Sequence, residues 1–315
     1  MSKYEVTVIV VTFNSELSKL ILTLKSIVFQ KNISMQLIIA DDGSELSLEK
    51  DVDRFMMDYK NISYKFIASG CNYGTVINIY NALQYACGEY VKIISPGDAF
   101  YDEGALSKWI EYMKKNDCRI SFCDCALYSI TSDKKKIRQH PTNGSPVLKK
   151  LYITRDNYKK CFVDYILAND TAIGAGVIFK TCVAMEYFSL IVDKIKYAED
   201  YFLRIALFDG EMIYYYPSNA VWYEYGGGIS TSGNSKWAKA LKKDFFACNE
   251  ILINRNAKSN IAKRYQKYLR INNYSQKKFL KCIMFPLIVK YRIHMKLAPQ
   301  IIDQSININN LKRYL

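Results

Sequence analysis

Histidine is almost missing from this 315-residue chain, which has only His140 and His294. A histidine-rich metal centre is therefore excluded. The nine cysteines are scattered and odd in number, and the one tight pair, Cys123-Asp124-Cys125, has no second pair at zinc-site spacing. That pattern predicts reduced, mostly structural thiols of a cytoplasm, not a zinc module or a disulfide framework. With 14 Gly and 6 Pro the chain lacks the composition of a low-complexity segment. No apolar run reaches the length of a membrane-spanning helix. The opening MSKYEVTVIVV is β-branched, holds Glu5 and has no small-residue cleavage site, so it reads as a strand and not as a signal peptide. Neither a GK-bearing phosphate loop nor GxGxxG after a strand occurs, which disfavours an ATPase and a nicotinamide enzyme.

What is present is a globular composition, 50% apolar and 14% aromatic with 26 Tyr. The length suits one large unit with a smaller appendage. The net charge of +14 is concentrated at one end. From Asn234 onward 18 Lys and Arg stand against three acids (Asp244, Glu250 and Asp303), whereas the preceding residues carry 26 against 27. The basicity belongs to the tail.

Residues 5–12 and 36–40 are short β-branched runs, and Leu17, Leu20, Leu24, Ile27 and Val28 between them have helical spacing. Residues 64–68 and 90–95 repeat the pattern around Val76, Ile79, Tyr80 and Leu83, and 119–130 continues it. This alternation predicts an α/β fold with a mostly parallel sheet covered by helices on both faces. Residues 166–179 (ILANDTAIGAGVIF) read as a further strand with glycines at a close approach, and 197–208 as a helix that starts at Glu199 and Asp200. In such sheets ligands bind beyond the carboxyl ends of the strands. The residues there are Thr12-Phe13-Asn14, Asp41-Asp42-Gly43-Ser44, Ser69 to Gly74, and Ser95-Pro96-Gly97-Asp98.

The motifs TFNS (12–15), ADDGS (40–44), NYG (72–74) with Asn81, GEYVKIISPGD (88–98), GAG (174–176) and AED (198–200) follow one another in a recognisable order. Over residues 4 to 231 the chain resembles the family-two inverting glycosyltransferases of the GT-A fold, of the kind that build bacterial surface polysaccharides. The resemblance implies a Rossmann-like catalytic domain over 1–233, with a nucleotide-binding half (1–100) and an acceptor-binding half (101–233). It also implies a nucleotide-sugar donor held by Thr12, Phe13, Asn14, Asp41, Asp42, Asn72, Gly74, Ser95, Gly97, Gly174, Gly176, Gly228 and Ser230. Asp42 is the expected base contact, because a carboxylate accepts hydrogen bonds from a uracil imide or ribose hydroxyls; Asp41 is expected to support the turn. Asn72 and Asn81 shape the pocket, with helix capping as an equal alternative for Asn72.

Ser95-Pro96-Gly97-Asp98 is by itself a type II turn, and Asp98 by itself a turn residue. The family ends this strand with two or three acids around a Ser; here only the last survives. The resemblance makes Asp98 the metal ligand, for Mn²⁺ or Mg²⁺, which commonly take one or two carboxylates with phosphate oxygens and water completing the shell. It makes Asp200 the general base that accepts the acceptor hydroxyl's proton in a single inverting displacement, with Glu199 orienting the acceptor or serving as the alternative base. Without the resemblance, both acids are a charge–dipole feature of a helix start. Gly226-Gly227-Gly228-Ile229-Ser230-Thr231 resembles a closing loop, with Tyr223 and Tyr225 able to stack on it, and a plain linker is its rival.

The tail (234–315) reads as basic helices, including 260–271 and 277–292. The second has an apolar core, Phe279 to Val289, interrupted by Lys281 and Pro286 and flanked by Lys277, Lys278, Lys290 and Arg292. That suits an anchor lying on an anionic membrane surface at the inner face of the cell membrane; packing against the catalytic domain is the alternative. No nucleic-acid-binding motif accompanies the charge. The expected reaction moves a hexose or N-acetylhexosamine, from UDP, to a hydroxyl of a lipid-linked glycan in capsule or O-antigen synthesis. A sugar nucleotidyltransferase and a non-catalytic nucleotide-sugar or glycan-binding module are the other readings; the first needs a Gly- and Lys/Arg-rich phosphate loop, which TFNSELS is not.

Overall fold

The computed structural model describes residues 2–131, 136–140, 146–229, 233–255, 260–271, 279–280, 282–297 and 306–315. Strand β1 (Tyr4–Thr12) is central because its side chains are apolar on both faces: Val6, Val8 and Val10 enter one core and Ile9 the other. It pairs in parallel with β2 (Met35–Asp41) and β4 (Gly88–Ile94), and β2 pairs in parallel with β3 (Ser63–Ala68). The intervening helices are α1 (Leu17–Val28), α2 (Glu49–Met56) and α3 (Thr75–Leu83). Leu20, Leu24 and Ile27 of α1 pack under one face, while Val76, Ile79 and Leu83 of α3 pack on the other. This half is the parallel, doubly covered sheet that the alternation predicts.

The second half is mixed. Next to β4 runs β8 (Val177–Lys180), antiparallel to it and to β6 (Ile120–Ile130). Strand β9 (Ile213–Glu224) then pairs in parallel with β6 and antiparallel with β5 (Ala99–Phe100), and β7 (Ile137–Gln139) extends β6. The path is β3-β2-β1-β4-β8-β6-β9-β5. Strand β9 tolerates Pro217 because the register jumps from Cys123↔Tyr216 to Asp124↔Asn219, so Pro217 has no paired position. Helices α4 (Ala105–Lys115), α5 (Tyr158–Phe162), α6 (Thr181–Ile191) and α7 (Phe202–Asp209) cover this half.

The strand predicted over 166–179 is a correction. Residues 163–168 are helical, 174–176 form a tight turn and only 177–180 are extended. Apolar content alone did not separate a buried helix from a strand there.

In the tail, α8 (Ser235–Arg255) and α9 (Asn260–Leu269) are helical as the spacing predicts. Pro286 stands in a turn, and a new helix runs from Leu287 to Leu297. Lys277, Lys278 and Lys281 lie outside the described residues. Cys248, Ile251, Leu252, Tyr265, Phe285 and Ile288 join the same core as α3, α6 and α7. The last helix, Ile308–Lys312, returns to the opposite side, where Leu311 and Tyr314 pack with Leu22, Tyr128 and Trp222.

Candidate active site

Reversal of direction between β4 and β8 brings the carboxyl ends of β1 and β4 against the turn that precedes β8. A cleft of about 870 Å³ opens there. Among the expected site residues, Thr12, Phe13, Asn14, Asp42, Asn72, Ser95, Asp98, Gly174, Glu199, Asp200 and Gly228 line it. Asp41, Gly74, Gly97 and Gly176 stand behind its wall, and Ser230 lies outside the described residues.

The wall at the ends of β1 and β2 is built from backbone. Asp41 accepts from the Ser44 amide (2.9 Å) and hydroxyl (2.5 Å), so it fastens its own turn. The Asn14 amide donates to Ser44 Oγ (2.7 Å) and the Glu45 amide to Asn14 Oδ1 (2.9 Å), which locks the first motif to the second. The buried Asp42 carboxylate accepts the Tyr73 amide (2.9 Å) on one oxygen and the Gly74 amide (2.8 Å) on the other. Burial raises its pKa, and those two donors oppose the shift. Gly74 is required because its φ is +102° and a Cβ would overlap the Lys196 side chain. On α3 the asparagine in the cleft wall is Asn78, whose side chain donates to the Ala40 carbonyl (2.8 Å); Asn81 faces outward. Helical spacing of 78 with the buried 79, 82 and 83 was the available signal for that choice.

The opposite wall concentrates carboxyl groups with few donors. Asp98 is 5% exposed and accepts the Glu224 amide at 2.9 Å. Burial pushes its carboxyl up to about 7. The Glu224 carboxylate lies over Gly97, whose φ is +100°, and is held by Lys19 Nζ at 2.8 Å. Neither Lys19 nor Glu224 was picked out from sequence, where 205 residues separate them. Glu199 and Asp200 form a short 3-10 turn ahead of α7. Burial, reinforced by Asp200, pushes Glu199 up to about 8, and burial pushes Asp200 up to about 6. A Cβ on Gly174 would come within 2.9 Å of Glu199 Oε1 and 3.4 Å of Asp200 Cβ, so this glycine makes room for the acid pair. Gly176 does the same for the Cys125 thiol.

Behind both acidic positions sits Lys92, fully buried on β4, which donates to the carbonyls of Ile93 (2.6 Å) and Ala175 (2.5 Å). Burial lowers its pKa. It ties the 174–176 turn to β4, and a lysine inside an apolar strand was the sequence signal that passed unread. Tyr223, Tyr225, Gly227 and Gly228 close one lip of the cleft, and Trp237 and Leu241 of α8 another.

The donor set fits a shared divalent ion and not a protein-only cage. Among the described residues no group of three or more His, Cys, Asp or Glu side chains is placed to hold one. A single buried Asp beside the cleft, its pKa raised by desolvation, is the group whose ionised form an ion with diphosphate oxygens would stabilise.

Comparison with known proteins agrees with this architecture. The family model described as Glycosyl transferase family 2 matches residues 7–175, more than half of the chain. An uncharacterized glycosyltransferase of Mycoplasma genitalium, MG025, is 33% identical over 103 residues, a stretch that spans 31% of this chain and 33% of that protein. Among solved structures, S. aureus TarS 1-349 in complex with UDP-GlcNAc superposes with a TM-score of 0.52 at 14% identity, covering 98% of this chain and 90% of that one. The mannosyltransferase PcManGT of Pyrobaculum calidifontis, in complex with GDP-Man and Mn2+, gives 0.52 at 12% identity, over 93% and 87%. The shared fold is GT-A.

Proposed function

The chain belongs to glycosyl transferase family 2, and from that premise we propose that it transfers a sugar, with inversion, from a nucleotide diphosphate to a hydroxyl of a lipid-linked glycan. The observation that carries this reading is the split cleft, with a backbone-built wall at Asp42 facing three raised carboxyl groups at Asp98, Glu199 and Asp200. A UDP-hexose or UDP-N-acetylhexosamine suits the Asp42 wall, since the carboxylate keeps lone pairs for an imide or ribose donor. The GDP-Man complex of PcManGT leaves a guanine donor as the alternative base.

Asp200 is the base in this reading. Burial raises both members of the coupled pair, so the pair as a unit carries a carboxylate able to take up a proton near neutral pH. Asp200 accepts the hydroxyl proton as that oxygen attacks the anomeric carbon, and Glu199 orients the acceptor by hydrogen bonding. Mn²⁺ or Mg²⁺, if bound with the donor, would supply Lewis-acid neutralisation of a departing diphosphate. Asp98 would hold it. Gly227 and Gly228 give the lip the freedom to cover the diphosphate and exclude water.

Residues 1–233 are proposed as the catalytic unit and 234–315 as a tail that also meets an anionic membrane, in capsule- or O-antigen-type synthesis at the inner face of the cell membrane. Phe279, Ile283, Val289, Ile293 and Leu297 point outward beside Lys290, Arg292 and Lys296, a combination suited to a headgroup layer. No helix among the described residues is long and apolar enough to cross a membrane.

Incubation with a panel of nucleotide sugars, Mn²⁺ and lipid-linked acceptor tests the assignment. Wild type is expected to transfer one sugar, and Asp98→Ala and Asp200→Asn to lose the activity. Full transfer by both variants would overturn the residue roles, and absence of turnover of every donor would favour a binding module.

A further inference from the structure

The turn that carries the acid pair follows Ala198, which offers no side-chain cap. Helix and turn starts usually take Ser, Thr, Asp or Asn there, because the first amides have no partner inside the element. Just ahead of the turn, the tail supplies an acceptor for the segment that leads into it. Asp244 on α8 is 5% exposed, and its Oδ1 accepts the Lys196 amide at 3.1 Å while Oδ2 accepts those of Tyr197 (2.8 Å) and Ala198 (3.0 Å).

The same face of α8 grips the surroundings of the turn. Trp237 and Leu241, seven and three residues before Asp244, line the cleft. Trp237 meets the Tyr197 ring edge-on at 5.1 Å, and Cys248 Sγ donates to the Tyr201 carbonyl at 3.4 Å. On its other side the turn is joined to the nucleotide wall, since the Lys196 carbonyl accepts the Val76 amide at 3.1 Å. The segment ahead of the turn is thus held between α3 and α8, and a buried carboxylate that accepts three amides is a strong, directional holder.

We propose that Asp244 is a positioning residue that clamps the 196–198 amides and so fixes Glu199 and Asp200 in the cleft, which makes the basic tail part of the catalytic apparatus. The proposal rests on the reading of Asp200 as base. Asp244 also adds negative charge near Glu199, whose other charged neighbours are Asp200 and Lys92, while Asp200 faces Arg204. Loss of the Asp244 charge therefore lowers the pH at which the pair takes up its proton.

Two measurements on the full chain test this. Hydrogen exchange at the 196–198 amides needs no turnover: wild type is expected to protect them, and Asp244→Asn to exchange them at least tenfold faster. In transfer assays Asp244→Asn is expected to lower kcat by about tenfold to a hundredfold, the scale of a displaced catalytic group, with donor KM within about threefold and the pH midpoint shifted down. Asp244→Glu keeps the charge but alters the reach, so kcat falls while the midpoint stays. Arg255→Gln, which breaks the α8 contact to Asp209 (2.6 Å) away from the turn, lowers stability without moving the midpoint. Unchanged exchange at 196–198, or unchanged kcat in both Asp244 variants, overturns the clamp. Lost protection in Asp244→Asn, with no transfer by wild type, keeps the clamp and rejects the transferase reading instead. Should Asp244→Asn fail to fold, Asp244→Glu is measured for the same two quantities, and wild-type exchange with wild-type kcat in that variant overturns the clamp.

Discussion

The two walls of the cleft treat carboxylates to different degrees. On the side of β1 and β2 Asp41 and Asp42 accept amides and a hydroxyl of neighbouring turns, and in Asp42 two amides oppose the rise that burial causes. On the facing side Asp98, Glu199 and Asp200 are held at about 7, 8 and 6 because burial removes water faster than donors replace it. In the proposed reading this difference separates binding from chemistry. A wall assembled from backbone can be rigid before the ligand arrives, whereas under-satisfied acids gain most when a cation or a proton reaches them.

The sharpest way to break this comparison is to exchange the expected kinetic signatures of the walls. Asp200→Asn is expected to cut kcat by about 10³-fold or more with nucleotide affinity retained, the range seen for removal of a general base. Asp42→Ala should instead raise donor KM by about tenfold or more and cost about 1–3 kcal/mol of stability through the orphaned Tyr73 and Gly74 amides. Steady-state kinetics with nucleotide titration calorimetry separate the two; similar kcat losses with equal KM would erase the distinction between walls.

A second expectation concerns pH. The folded protein holds protons on Asp98, Glu199 and Asp200 that the unfolded chain, with carboxylates near 4, releases. Stability from these groups is therefore fully present below about pH 4 and is lost as pH rises from there through the folded values of about 6 to 8. Thermal melts of the ligand-free protein should show a steeper fall between about pH 4 and 7 for wild type than for Asp98→Asn. Equal slopes would mean that Asp98 titrates like an exposed acid.

The smallest effect is expected at Lys19→Met. The Lys19–Glu224 pair is partly open to water, with side chains 31% and 15% exposed, and such pairs contribute about 1 kcal/mol or less. A melting shift well beyond that would show that the pair braces the acidic wall more firmly than its exposure allows.

Local pattern made much of this legible. The helical spacing of Leu20, Leu24 and Ile27 and the β-branched runs of β1, β2 and β4 are short-range properties, and those elements formed where expected. The strand-end motifs were legible too, because in a parallel sheet the strand order alone places them at one edge. Residues 166–168 misled, since their apolar content fits a buried helix as well as a strand. Lys92, Asn78 and Asp244 escaped because nothing near them in the chain marks a partner: Lys92 reaches Ala175 and Asp244 reaches 196–198, contacts 83 and 46 to 48 residues away.

By itself the sequence determined the α/β alternation, the ordered polar turns at the strand ends and the basic tail, all of which follow from hydrophobic period, turn chemistry and charge over a few neighbouring residues. Tertiary structure alone decided which of the acids are satisfied and which are left short of donors. It also decided that the segment leading into Glu199 and Asp200 is held by Asp244 of the tail. Desolvation and hydrogen-bond supply depend on what the rest of the chain packs against a group, and only closure of the fold brings those partners together.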